Sequence, residues 1–204
     1  MPKIPVRRAP RTFLAALTAL VLAGALPMTA AHAEQTYDEA YAADRAEIED
    51  LMARYLFAID YFDWDAYVAT FAPDGELEFA SGTSKGRDAI REAVTSFSER
   101  IGQFYHTEDG KPALLRHVVL QSSIRVEGDK AWGRTLWIEM ANDGPGDTMK
   151  MGTYGIYEDE FSKVSGRWLI QKRRVLNEFL KGRQSGPGNP VADMDRLAAA
   201  AASR

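Results

Sequence analysis

From Tyr37 onward the apolar positions fall into a helical rhythm. Ile48, Leu51, Met52, Tyr55, Leu56 and Ile59 recur at i, i+3, i+4, i+7, i+8 and i+11, the stripe of an amphipathic helix. A second, short helix is predicted after it, with Asp63 as N-cap, Asp65 in the first turn, and Trp64, Tyr67, Val68 and Phe71 at helical spacing. Pro73-Asp74-Gly75 predicts a turn that ends it. Leu77 and Phe79 alternate with Glu76 and Glu78, a short strand. A third helix starts near Ser84 to Arg87 and carries Ile90, Ala93, Val94, Phe97 and Ile101 on one face.

After a polar loop from Tyr105 to Pro112, the period changes to two. Residues 115–179 read as a four-strand antiparallel meander, punctuated at Gly128-Asp129, at Asn142 to Gly146 and at Val164-Ser165-Gly166. Residues 182–204, rich in Gly, Pro, Ala and Ser, read as a flexible tail in which Met194 to Ala201 suits a short helix. Helix, helix, strand, helix, then a long meander is an α+β order, with about three helices on one side of a curved antiparallel sheet. A cone of this kind encloses a pocket between sheet and first helix, where a small-molecule ligand is expected.

The N-terminal residues 1–33 stand apart from the fold. Arg7, Arg8 and Arg11 precede a 14-residue apolar run from Phe13 to Leu26, and Ala31-His32-Ala33 has the A-x-A form of a cleavage site. This is a secretory signal pattern, and a run of that length is too short to span a bilayer. The expected layout is a signal peptide over 1–33, one domain over 34–181 and the tail over 182–204, in a periplasmic or secreted protein. Removing the signal takes away four basic residues and no acid, leaving 21 basic against 29 acidic side chains, a net charge of −8. Such a domain repels phosphate backbones and anionic lipid, so no nucleic-acid partner and, after signal cleavage, no membrane partner is expected. The sequence has no cysteine, which removes thiol nucleophiles, disulfides and sulfur-ligated metals. The expected mature chain keeps two histidines, His106 and His117, with no H-x-H or H-x-x-x-H spacing, so no metal site is expected either.

Two residues carry candidate chemistry. In simple alternation along its strand, His117 shares a face with Val119, Gln121 and Ser123. That mixed face fits a pocket wall, and it also fits a histidine hydrogen-bonded for structure. Asp60 closes the first helix among Ile59, Tyr61 and Phe62, where an acid opposes the helix dipole at a cost of about 0.3–1 kcal/mol. Either His117 compensates it across the cavity, or Asp60 faces solvent or caps the next helix. Joined, the two would form a base in which the carboxylate fixes the imidazole tautomer and the other ring nitrogen takes a proton. No G-x-S-x-G supplies a nucleophile, so proton abstraction is favoured over acyl transfer.

The run Ala46 to Tyr55, with Ala58-Ile-Asp60, Asp63-Trp64-Asp65, Phe71-Ala-Pro-Asp74 and Gly86-Arg87-Asp88-Ala89-Ile90, resembles a SnoaL-like domain of the NTF2-like superfamily. Arg116-His117, Val126 to Ala131, Gly155 to Asp159 and Gly166-Arg-Trp168 continue the resemblance, which covers about residues 44–179. It implies an NTF2-like cone and a lyase that needs no cofactor. In the branch holding scytalone dehydratase, lindane dehydrochlorinase and bile acid 7α-dehydratase, it implies an Asp–His pair at Asp60 and His117. It further implies a catalytic tyrosine at Tyr55 and a pocket arginine at Arg173 on the last strand. Phe79 departs from the pattern where a second tyrosine belongs, and Gln121 stands for a common asparagine.

The function expected on this reading is elimination from a small apolar cyclic or aryl substrate, with Trp64, Trp137, Phe104 and Tyr154 as candidate aromatic walls. The alternatives are an isomerase using the same pair and a non-catalytic binding or assembly module. A homo-oligomer through the outer sheet face is compatible with either.

Overall fold

A computed structural model describes residues 35–202; the predicted signal segment lies outside the described residues. Helix α1 (Glu39–Asp60) begins where the Asp38 carboxylate accepts the Tyr41 amide at 2.9 Å. It buries Ile48, Leu51, Met52, Tyr55 and Leu56, the predicted stripe. It ends in a tight double closure, in which the Asp63 amide donates to the Ala58 carbonyl at 2.9 Å and the Phe62 amide to Ile59 at 3.2 Å. Phe62 takes the left-handed position (φ 56°) that glycine usually fills, at a cost of about 1 kcal/mol. Asp60 is thereby the last helical residue. Helix α2 (Trp64–Ala69) follows at once, with Asp63 capping the Ala66 amide at 3.0 Å as expected.

Strand β1 (Phe71–Phe79) runs straight through Pro73-Asp74-Gly75, contrary to the turn expected there. The turn residues are absorbed in a register shift between Phe71 and Glu76. Proline gives up an amide the irregularity leaves unpaired. Gly75 lets two chains approach, since a Cβ there would lie 3.0 Å from both the Ala72 and Ile170 carbonyls. A short strand β2 (Gly82–Lys85) that the pattern did not signal pairs antiparallel with β1 and leads into α3 (Arg87–Gly102). The meander is β3 (Leu115–Glu127), β4 (Lys130–Ala141), β5 (Lys150–Val164) and β6 (Arg167–Asn177). The six strands lie in the order β2-β1-β6-β5-β4-β3, antiparallel except where β1 runs parallel to β6. The expected antiparallel sheet is present, with β1–β6 its one parallel pair. The chain crosses over α3 and returns after three hairpin strands beside β1.

Helices α1, α2 and α3 cover one face of the sheet, and the core lies between them: Leu51, Tyr55, Tyr67, Phe71, Ile90, Trp137, Tyr157, Phe161 and Ile170. Phe79, in the core, packs on Phe97 at 5.2 Å. The outer face leaves Leu120, Leu136 and Tyr154 exposed. Within the stretch read as a tail, α4 (Val191–Ala202) packs Met194 and Ala198 on Trp132, giving that part of the outer face its own small apolar cluster.

Strand β3 forms one edge of the sheet, and α1 closes that edge with side chains. Tyr41 donates to the Ile124 carbonyl at 3.2 Å and Arg45 to Ser122 at 3.2 Å, while Gln35 accepts the Val126 amide at 2.9 Å. Side chains of α1, and Gln35 ahead of it, thus cover part of this edge without another strand. A bulge between Val119 and Gln121 resets the alternation. His117, Val119, Ser122 and Ile124 oppose inward-facing Glu139, Trp137, Thr135 and Gly133, so they share the inner face. Gln121 is exposed. Simple alternation sets Gln121 and Ser123 beside His117 and Ile124 opposite; one inserted residue reverses that.

Candidate active site

The closure after α1 and the edge position of β3 bring Asp60 and His117 together. Asp60 Oδ1 lies 2.7 Å from His117 Nδ1, and Asp60 Oδ2 accepts the His117 main-chain amide at 3.0 Å. A carboxylate can only accept, so Nδ1 carries the proton and Nε2 is the free, basic nitrogen. Both groups are largely buried, their side chains 15% and 5% exposed for His117 and Asp60. The acid that the helix dipole disfavours is held by two N–H groups from one residue. The same bonds finish the edge closure that Tyr41 and Arg45 begin.

Nε2 points under the sheet. There Glu139, the register partner of His117 on β4, brings Oε2 to 3.7 Å, beyond hydrogen-bond reach. Thr153 donates to the same oxygen at 3.2 Å. Tyr105, from the loop after α3, lies against Glu139; burial, reinforced by the Glu139 charge, pushes its phenol up to about 12. Trp137 stands 6.0 Å from the imidazole, centroid to centroid, and stacks on Tyr157 at 5.4 Å. Neither Glu139 nor Tyr105 was among the expected site residues. The parity of β4 carries a signal for the first: Thr135, Trp137 and Glu139 alternate on one face, and an acid in that series is inward-facing.

Tyr55 and Arg173 are brought together, but with each other. The Arg173 guanidinium lies 4.0 Å over the Tyr55 ring and 4.3 Å over Tyr157. It is fully buried and doubly bonded to Asp159, Nε to Oδ1 at 2.7 Å and Nη2 to Oδ2 at 2.8 Å. Burial opposes its charge, yet the Asp159 carboxylate outweighs burial and holds the guanidinium above its ordinary range. The Tyr55 hydroxyl accepts from Tyr67 at 2.9 Å. Burial first, then the neighbouring Tyr55, keeps the Tyr67 and Tyr157 phenols far above their usual range. The two clusters meet at Tyr157, which stacks on Trp137 on one side and faces Arg173 on the other.

A cleft of about 660 Å³ between α1 and β3 is lined by Met52, Leu56, Phe57, Asp60, His117 and Val119 among others. Tyr55 and Arg173 do not line it. A larger cleft, about 840 Å³, lies over α1, α2 and the β5–β6 turn and holds none of the four expected site residues; the chemistry sits with the smaller one. Of the aromatic walls expected, Trp137 touches the pair, Trp64 packs on Phe62 and Tyr67, and Phe104 and Tyr154 are exposed.

Helices over one face of a mostly antiparallel six-strand sheet give the NTF2-like, cystatin-like fold. A solved NTF2-like protein of that fold from Novosphingobium aromaticivorans superposes with a TM-score of 0.57 at 24% identity, over 70% of this chain and 86% of its own. The chain belongs to the SnoaL-like domain family, whose profile matches residues 40–174. An uncharacterized protein of Mycobacterium tuberculosis is 28% identical over 140 residues, 68% of this chain and 88% of that protein. Two further solved structures share the fold. One is a candidate scytalone dehydratase from Novosphingobium aromaticivorans (TM-score 0.55, 21% identity, 73% of this chain and 96% of that one). The other is a Catenulispora acidiphila protein in complex with S-DNPA (TM-score 0.57, 24% identity, 67% and 95%).

Proposed function

We propose that this protein is an exported, cofactor-independent lyase that removes a carbon-bound proton from a small, mostly apolar cyclic or aryl molecule. The observation that carries this reading is the doubly bonded Asp60 carboxylate on His117, 2.7 Å to Nδ1 and 3.0 Å to the main-chain amide, which fixes the ring so that Nε2 is the base. Nε2 takes the proton, the C–H electron pair forms the new π bond, and the leaving group departs from the neighbouring carbon with its bonding pair. The imidazolium, stabilised by Asp60, returns the proton to a departing hydroxide, which leaves as water. Tyr55 and Arg173 support the pocket by backing Tyr157, and through it the Trp137 ring that stands against the imidazole. A dehydratase candidate and a small-molecule complex among proteins of this fold agree with the reading.

The test is turnover by the exported protein against a panel of hydroxylated and halogenated cyclic and aryl compounds. His117→Ala abolishes it, and Asp60→Asn lowers it about 10²–10⁴-fold, the range of positioned acid–base groups. Turnover unchanged by both substitutions refutes the roles of Asp60 and His117.

A further inference from the structure

A substrate of the proposed base must reach His117 Nε2, and that nitrogen is walled in. Glu139 and Trp137 stand against the ring and Tyr105 is hydrogen-bonded to Glu139, yet none of the three lines either cleft. The smaller cleft meets His117 between α1 and β3, where Asp60 holds Nδ1. Glu139 and Trp137 belong to β4 and Thr153 to β5, strands fixed by their ladders. Tyr105 comes instead from a segment outside the helices and the sheet.

That segment is a small unit of its own. The Ala113 amide donates to the Tyr105 carbonyl at 3.0 Å and the Thr107 amide to Lys111 at 2.9 Å, which closes residues 105–113 into a hairpin. Helix α3 ends just before it at Gly102, where an added Cβ would meet nothing within 4 Å. Phe104, at its root, is 76% exposed and does not tie it to the core. The hairpin is clasped to the loop between β4 and β5: the Glu108 amide donates to Asp147 Oδ1 at 3.1 Å, and the Gly146 amide to Glu108 Oε1 at 2.7 Å. Both bonds are exposed, so water competes for the same groups and each holds weakly. Asp147 keeps a left-handed backbone (φ 54°), a strain that gathers at clamps and switches.

We infer that residues 105–113 are a gate over His117 Nε2, held shut by the reciprocal clasp between Glu108 and the Gly146-Asp147 turn. Substrate enters when the hairpin carries Tyr105 off Glu139. The inference rests on the Asp60–His117 reading and adds how that site is reached. Opening breaks the clasp and the Tyr105 bond to Glu139, and leaves the bonds of the sheet in place. The Leu114 amide, bonded to Asn142 Oδ1 at 2.6 Å, stays as the anchor at the strand end. Segments that move for binding are drawn from such lightly held parts of a fold. Closed again, the gate keeps bulk water from the imidazolium that forms when Nε2 takes its proton.

The sequence has no cysteine, so Glu108→Cys with Asp147→Cys introduces a single disulfide that locks the clasp and that a reductant reopens. Diethyl pyrocarbonate, which acylates an unprotonated imidazole nitrogen, reads the gate in the purified protein. Peptide mass spectrometry separates His117 from the exposed His106, the internal reference for the reagent. Nδ1 of His117 is taken by Asp60, so its modification reports Nε2. The oxidised pair is expected to slow His117 at least about tenfold against the reduced pair, because reactivity scales with the open fraction. Glu108→Ala is expected to speed it about tenfold over the wild type, the worth of one charge-assisted hydrogen bond lost from the closed state. An unchanged melting temperature shows that this is not general loosening, and should the pair fail to oxidise, Glu108→Ala decides alone. A His117 rate equal in locked and reduced protein, or equal in Glu108→Ala and wild type, overturns the gate. None of these rates requires turnover: if turnover survives His117→Ala while the lock still governs the His117 rate, the gate stands and the base reading falls.

Discussion

Asp159 and Arg173 are the largest electrostatic commitment in the core, both at 0% exposure. A buried ion pair gains little over an apolar one, but breaking it leaves a bare charge. Arg173→Met alone is therefore expected to lower unfolding stability by about 3–5 kcal/mol, with Asp159→Leu added to it recovering most of the loss. Paired denaturant titrations of the single and double variants check this. Tyr105 gives the site a pH signature of its own. Its phenol, shifted by burial and by the Glu139 charge to about 12 in the folded protein, has an ordinary value near 10 when unfolded. The folded state binds that proton more tightly, so this contribution to stability is complete below about pH 10 and is lost as pH rises towards about 12. Tyr105→Phe is expected to flatten that alkaline slope in thermal melts, and an unchanged slope would show that Tyr105 does not cause it.

At the scale of elements, backbone approach decides where strands can lie. A Cβ at Gly155 would sit 1.9 Å from the Leu176 main-chain carbonyl, an oxygen that cannot swing away, at the point where β5 crosses β6 behind the Trp137 ring. Gly155→Ala is expected to cost at least about 3 kcal/mol, beyond ordinary surface changes, and to lower the melting temperature measurably. Most element boundaries were legible from period and punctuation: the α1 stripe, the Asp63 cap, and the left-handed pair Ser165 and Gly166 (φ 51° and 77°) at the β5–β6 turn. The failures share a cause. Pro73-Asp74-Gly75 has turn chemistry, but a register shift against β6 uses the missing amide and the missing side chain equally well. The β3 bulge is invisible to alternation because it inserts one residue without changing composition, and it moves Gln121 out of the site.

For the whole molecule, the pattern of residues 1–33 makes export with cleavage an expectation that can be tested. Protein recovered from the periplasm of an expressing Gram-negative host is expected to begin at Glu34, which N-terminal sequencing reads directly; material still beginning at Met1 would contradict export with cleavage.

The α+β layout, with Asp60 and His117 as suspects, could be read from the chain itself, because helix stripes, strand parity and capping are local properties; the family came from the resemblance of its motifs. Contact between the two suspects was a different matter. It needed α1 to stop at Asp60 and β3 to be the edge strand, facts set by packing between segments 57 residues apart. Tyr55 and Arg173 show the same limit from the other side. Their types suit a pocket, but the sheet register gives Arg173 to Asp159 and stacks Tyr55 beneath it. Only the fold decided which acid meets which cation, because partners across a sheet are chosen by register and by closure of the core, and one residue's shift in either changes them all.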